Sequence, residues 1–97
     1  MTKKPLVSVI VPTTKNEKFL KNCLKSIKDQ TCKNLETIVV NLGRERNYQR
    51  NWGAKRARGK YLLFVDADME LSSQVVEQCV NLAEENKNIV GVIIPEE

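Results

Sequence analysis

Asp66 and Asp68 close the most apolar stretch of this 97-residue chain, YLLFV at 61–65, with a single alanine between them. In extended backbone, residues two apart project to the same side. Two carboxylates at the mouth of a strand can therefore converge on one hard cation, and oxygen ligands favour Mg²⁺ or Mn²⁺. Such an ion takes further anionic partners, of which a diphosphate is the usual one. The plainer reading is a turn capped by Asp68 beside a solvated Asp66, and the two residues alone do not separate the readings.

Several other chemistries fail on named residues. A phosphatase of the DxDx[TV] type needs Thr or Val where Glu70 stands, and a response-regulator site needs acids where the first strand ends in Pro12-Thr13. Neither GxxxxGK[ST] nor GxGxxG occurs. The chain has no histidine, which removes Ser-His and Cys-His nucleophile pairs, His-ligated zinc and an imidazole base. Any general acid or base is then a carboxylate, Lys, Tyr or Cys. Cys23, Cys32 and Cys79 are widely spaced and form no CxxC pair, against both a disulfide framework and a zinc site. With no signal-peptide pattern and no apolar run near the roughly 20 residues that span a bilayer, the expected location is cytoplasmic.

Strands and helices must position the pair. Leu6 to Val11 reads as a strand buried on both faces, ending at Pro12-Thr13. Thr14 and Glu17 match a capping box, and Phe19, Leu20, Cys23, Leu24 and Ile27 recur at helical spacing to about Gln30. Leu35 to Val40 reads as a second strand. Arg46 to Arg58 reads as a weaker helix, blemished by Gly53, with Tyr48 and Trp52 packed on the sheet. Tyr61 to Val65 is a third strand. Ser72 or Ser73 caps a last helix that turns Val75, Val76, Cys79, Val80 and Ala83 inward, and Ile89 to Ile94 is a fourth strand. Alternation of this kind predicts an α/β fold: one domain over residues 1–97, three layers, an open parallel sheet of about four strands with helices on both faces. Right-handed crossovers gather the strand C-termini on one edge, where open α/β sheets bind ligands.

Four segments taken in order, VSVIVPTTKNE at 7–17, CLKSIKDQTCKNLETIVV at 23–40, QRNWGAKRARGKYLLFVDADMEL at 49–71 and IIPE at 93–96, resemble the donor-binding half of a family-2 glycosyltransferase with the GT-A, Rossmann-like fold. The resemblance covers nearly the whole chain and implies inverting glycosyl transfer from a nucleotide-sugar. It implies that Pro12, Thr13, Asn16 and Glu17 hold the nucleoside and that Asn51 and Gly53 line the sugar-nucleotide site. It makes Asp66-Ala67-Asp68 a DXD motif, with Asp66 and Asp68 holding Mn²⁺ or Mg²⁺ and Asp66 also touching the donor. A UDP-sugar donor is expected, with an acceptor that is lipid-linked at a membrane surface, so that the protein is peripheral to the cytoplasmic membrane.

Three departures stand beside the matches. Where the family runs into VDDGS or VDN, this chain has Val40-Asn41-Leu42-Gly43, so Asn41 replaces the base-recognising acid. The helix and short strand that the family inserts before its RNxG segment are missing, the chain passing from Gly43 to Arg50 through six residues. The acceptor half, which supplies the catalytic base, is absent from these 97 residues, so no residue is assigned as catalytic and turnover by this segment alone is not expected. The alternatives are a non-catalytic nucleotide-binding or interaction module built on the same fold and a basic surface binder of nucleic acid or membrane. The last rests on residues 43–60, where seven basic residues meet only Glu45, and which could contact a diphosphate, a lipid phosphate or nucleic acid. Tyr48 and Trp52 at four-residue spacing favour packing over base stacking, which argues against nucleic acid.

Overall fold

The computed structural model describes residues 5–13, 19–85 and 92–93. Four parallel strands lie in the order β2-β1-β3-β4, with β1 at Val7–Pro12, β2 at Leu35–Val40, β3 at Tyr61–Phe64 and β4 described at Val92–Ile93. Three helices connect them: α1 (Leu20–Lys28), α2 (Arg46–Arg56) and α3 (Val75–Glu85). The three-layer α/β architecture expected from the sequence is the one observed. No helix among the described residues is long and apolar enough to cross a membrane.

The period-2 geometry of β1 explains the layers. Val7, Val9 and Val11 face one side, where they form the main core with Cys23 and Ile27 of α1, Leu63 and Val65, and Val76 of α3. Ile10 faces the other side and meets α2, where a Cβ on Gly53 would lie 2.7 Å from its Cγ2 and 3.3 Å from Cγ2 of Val40. α1 and α3 thus cover one face and α2 the other. Each fully buried Val or Ile contributes roughly 1.5–3 kcal/mol, so the doubly covered β1 anchors the domain.

The local expectations change in three places, and a fourth lies beyond the described residues. The proposed capping box at Thr14 and Glu17 falls outside the described residues, and described α1 opens at Phe19 without a side-chain cap. Tyr48 does not pack on the sheet as expected: it is exposed while Trp52 is half-buried, and Arg44 and Arg56 stack on the two rings at 4.5 and 3.5 Å. The inward face of α2 is Gln49 and Gly53, because the helix lies too close to β1 for larger side chains. The start of α3 is served by Gln30 rather than by a serine hydroxyl. Its amide oxygen accepts from Val76 N–H at 3.0 Å, and its amide nitrogen donates to the Ser26 and Ser72 carbonyls at 3.0 and 2.7 Å. Finally, Cys79 is partly rather than fully buried, while burial foremost, and then Asp68, Asp66 and Glu70, push the Cys23 thiol up to about 11.

At the N-terminal edge a second polar cluster ties β1 to β2 and β3. Buried Ser8 Oγ donates to Glu36 at 2.5 Å and accepts from Gly59 N–H at 2.8 Å, while the Arg58 backbone N–H donates to Glu36 at 2.7 Å. Burial opposes ionisation of Glu36, but these donors and the Arg58 guanidinium outweigh it and lower its pKa.

Candidate functional site

The order β2-β1-β3-β4 reverses direction at β1: the chain leaves β1 for β2 and returns past it to β3. At such a switch point the connections after adjacent strands depart to opposite faces and leave a crevice beyond their carboxyl ends. Pro12 and Thr13 end β1, and Asp66, Ala67 and Asp68 follow β3. All five line a cavity of about 340 Å³, within the range of small-molecule sites. Phe19 and Leu20 at the start of α1 form one wall, and Arg44, Arg46 and Gln49 around the start of α2 form the other.

Asp66 is the best-placed charge in the crevice. Its side chain is 15% exposed, and two guanidiniums reach it from α2, Arg46 at 3.7 Å and Arg50 at 3.5 Å. Arg46, Gln49 and Arg50 stand three and four residues apart and so share one helix face. Gln49 is buried between them. Its amide oxygen accepts from Leu42 N–H at 2.7 Å and its amide nitrogen donates to the Thr13 carbonyl at 3.0 Å, joining the end of β1, the loop after β2 and α2. Arg50 lies over the Phe64 ring, its carbon Cζ 5.9 Å from the centroid, and its Nε is buried without a hydrogen-bond partner.

Asp68 lines the same cavity but not in the geometry expected of an extended pair. The strand ends at Phe64, and Met69 N–H donates to the Asp66 carbonyl at 3.0 Å, closing a turn through Ala67 and Asp68. Asp68 is consequently exposed while Asp66 is held inward. Among the described residues no group of three or more carboxylate or thiol side chains converges as a metal site. A cation at Asp66 would also face two guanidiniums already drawn to that carboxylate. The residues present therefore do not fit a resident divalent cation.

The other residues singled out in the sequence divide. Thr13 is buried with its backbone in the crevice network. Asn16 and Glu17 lie outside the described residues. Asn41 is exposed just past β2, and Asn51 is exposed on α2; neither lines the cavity. Gly53 is buried against Ile10 and Val40, where it allows close helix–strand contact. Gln49 was not singled out, because a glutamine at a helical position carries no signal of burial until the strand it meets is known. The arginines were visible as charge, but their pairing with Asp66 was not.

The sequence model described as Glycosyl transferase family 2 matches the chain over residues 8–47 and 43–97. The uncharacterized glycosyltransferase EpsJ of Bacillus subtilis (strain 168) is 34% identical over 114 positions, covering 90% of this chain and 33% of EpsJ. The glycosyltransferase GlyA of Streptococcus pneumoniae serotype 4 is 32% identical over 97 positions, covering 73% of this chain and 14% of GlyA. The uncharacterized glycosyltransferase MJ1057 of Methanocaldococcus jannaschii is 31% identical over 117 positions, covering 89% of this chain and 40% of that protein. This chain spans less than half the length of each. The alignments with EpsJ and the M. jannaschii protein are longer than the 97 residues available here, so positions in both relatives have no counterpart. The two matched stretches overlap at residues 43–47, which run from the loop after β2 into the start of α2.

Proposed function

Because the chain belongs to glycosyltransferase family 2, we propose that its β1–β3 crevice binds a nucleoside-diphosphate sugar, the donor for glycosyl transfer by the whole protein. The observation that carries this reading is the convergence of Pro12, Thr13, Asp66, Ala67 and Asp68 on one small-molecule-sized cavity at the switch point of a parallel sheet. The nucleoside lies against the β1 end, at Pro12 and Thr13. The diphosphate faces Arg44 and Arg46, and a UDP-sugar is the donor tested first. The acceptor, the base that deprotonates it and the inverting displacement belong to the whole protein, of which this chain corresponds to a part. Family members commonly use divalent cations; since Asp66 and Asp68 do not assemble such a site here, no step is routed through one.

The test is titration of the folded chain with UDP, GDP, dTDP and CDP, with and without Mn²⁺, followed by calorimetry and by backbone amide shifts. Binding should displace the amide signals of Thr13, Leu20 and residues 66–68 and leave those of the Ser8–Glu36 edge in place. A folded chain that takes up no nucleoside diphosphate in either condition refutes the donor-site reading.

A further inference from the structure

We propose that Arg46 and Arg50, rather than a divalent cation, supply the positive charge that holds the donor diphosphate in this chain. The inference rests on the donor-site reading above and says how that site recognises its ligand. Both arginines lie on the α2 face that overhangs the strand ends, and both reach Asp66, at 3.7 and 3.5 Å. Charge-assisted N–H···O bonds are typically about 2.7–2.9 Å. The guanidiniums are therefore drawn to Asp66 without being saturated by it, and each planar fork keeps donors for a second anion.

The local charge favours an anion over a cation. Two guanidiniums against one carboxylate leave a positive excess at Asp66, and Arg44 and Asp68, which also line the cavity, offset each other. A metal ion arriving at Asp66 meets like charges, whereas a diphosphate carries negative charge on each phosphate and oxygens spaced for guanidinium forks. Asp66 is then the resident anion with which the diphosphate competes for the two guanidiniums.

The shortened connection between β2 and α2 explains why the arginines are there. Only residues 41–45 separate the two elements. Gln49, bonded to both Leu42 and Thr13, holds the start of α2 over the ends of β1 and β2. The Phe64 ring beneath Arg50 supports a flat guanidinium. So short a connection keeps the start of α2 beside the end of β2, which is what brings the arginine pair within reach of Asp66.

The experiment compares UDP affinity in EDTA with that in Mn²⁺, for the wild-type chain, for Arg46→Gln and for Arg46→Gln with Arg50→Gln. Wild-type affinity should agree between the two buffers within about threefold. Arg46→Gln, at an exposed position that leaves the fold intact, should weaken binding about tenfold, and the double variant by roughly 30-fold or more, as expected for lost charge-assisted bonds. Asp66→Asn gives the sharpest contrast. With pyrophosphate as probe in EDTA it should bind at least as tightly as wild type, since a competing anion is removed. Binding that appears only with Mn²⁺ and disappears in Asp66→Asn overturns the arginine assignment and leaves the donor site standing. Failure to bind UDP in both buffers overturns both.

Discussion

Replacing Gln49 by leucine removes the side chain that joins α2 to the end of β1 and the loop after β2, while nearly preserving volume. Two hydrogen bonds are lost, from Leu42 N–H at 2.7 Å and to the Thr13 carbonyl at 3.0 Å. The bond to Thr13 is buried, and its loss costs about 1–3 kcal/mol. Leu42 is exposed, so water recovers part of the other bond and its loss costs about 1 kcal/mol. The total is about 2–4 kcal/mol. Against a stability of about 5–15 kcal/mol for a domain of this size, the variant stays folded. At about 4–8 °C per kcal/mol, its Tm should fall by at least about 8 °C. Urea unfolding followed by circular dichroism reads the change as a lower midpoint at unchanged slope. A Gln49→Leu midpoint within about 0.5 kcal/mol of wild type would falsify the claim that this amide staples the crevice, because that is the ordinary range of surface substitutions.

Two further outcomes test the packing and the N-terminal edge. Gly53→Ala should destabilise by about 1–3 kcal/mol, since its Cβ would sit 2.7 Å from Ile10 Cγ2; helix propensity alone predicts a gain of about 1 kcal/mol, so the sign of the midpoint shift in urea decides. Glu36 has a pKa lowered from 4.5 in the fold, so its contribution is present above that value and is lost as pH falls through the lowered folded pKa. Glu36→Gln should accordingly lose stability at pH 7, with the gap to wild type closing as the medium becomes more acidic than pH 4.5; a gap independent of pH between 7 and 3 contradicts the ionised network with Ser8 and Arg58.

Much of the fold was legible because its signals are local. β-branched runs of strand length, separated by helical periodicities, identify a parallel α/β sheet, and the buried odd and even residues of β1 follow from a period of two. The boundaries of α2 and the end of β3 were close for the same reason. The faces of α2 were not legible, because Tyr48 and Trp52 are its aromatic residues but Gly53 is its contact with β1. A helix at so short a distance inverts the usual rule that the largest apolar side chains turn inward.

The candidate site divides in the same way. Asp66 and Asp68 could be named from type and spacing, and the crevice could be placed from strand order. The equivalence of the two carboxylates could not be tested in one dimension: a single hydrogen bond from Met69 N–H turns the chain after Asp66 and sends Asp68 outward. Nor could Gln30 and Gln49 be recognised as buried connectors, since each bonds to backbone at least one whole element away. The sequence alone determined that strand-end carboxylates and a basic helix lie in one α/β domain of glycosyltransferase family 2. Only the tertiary structure decided that the helix delivers Arg46 and Arg50 onto Asp66, because charges distant along the chain acquire a partner only when packing sets the distance between them.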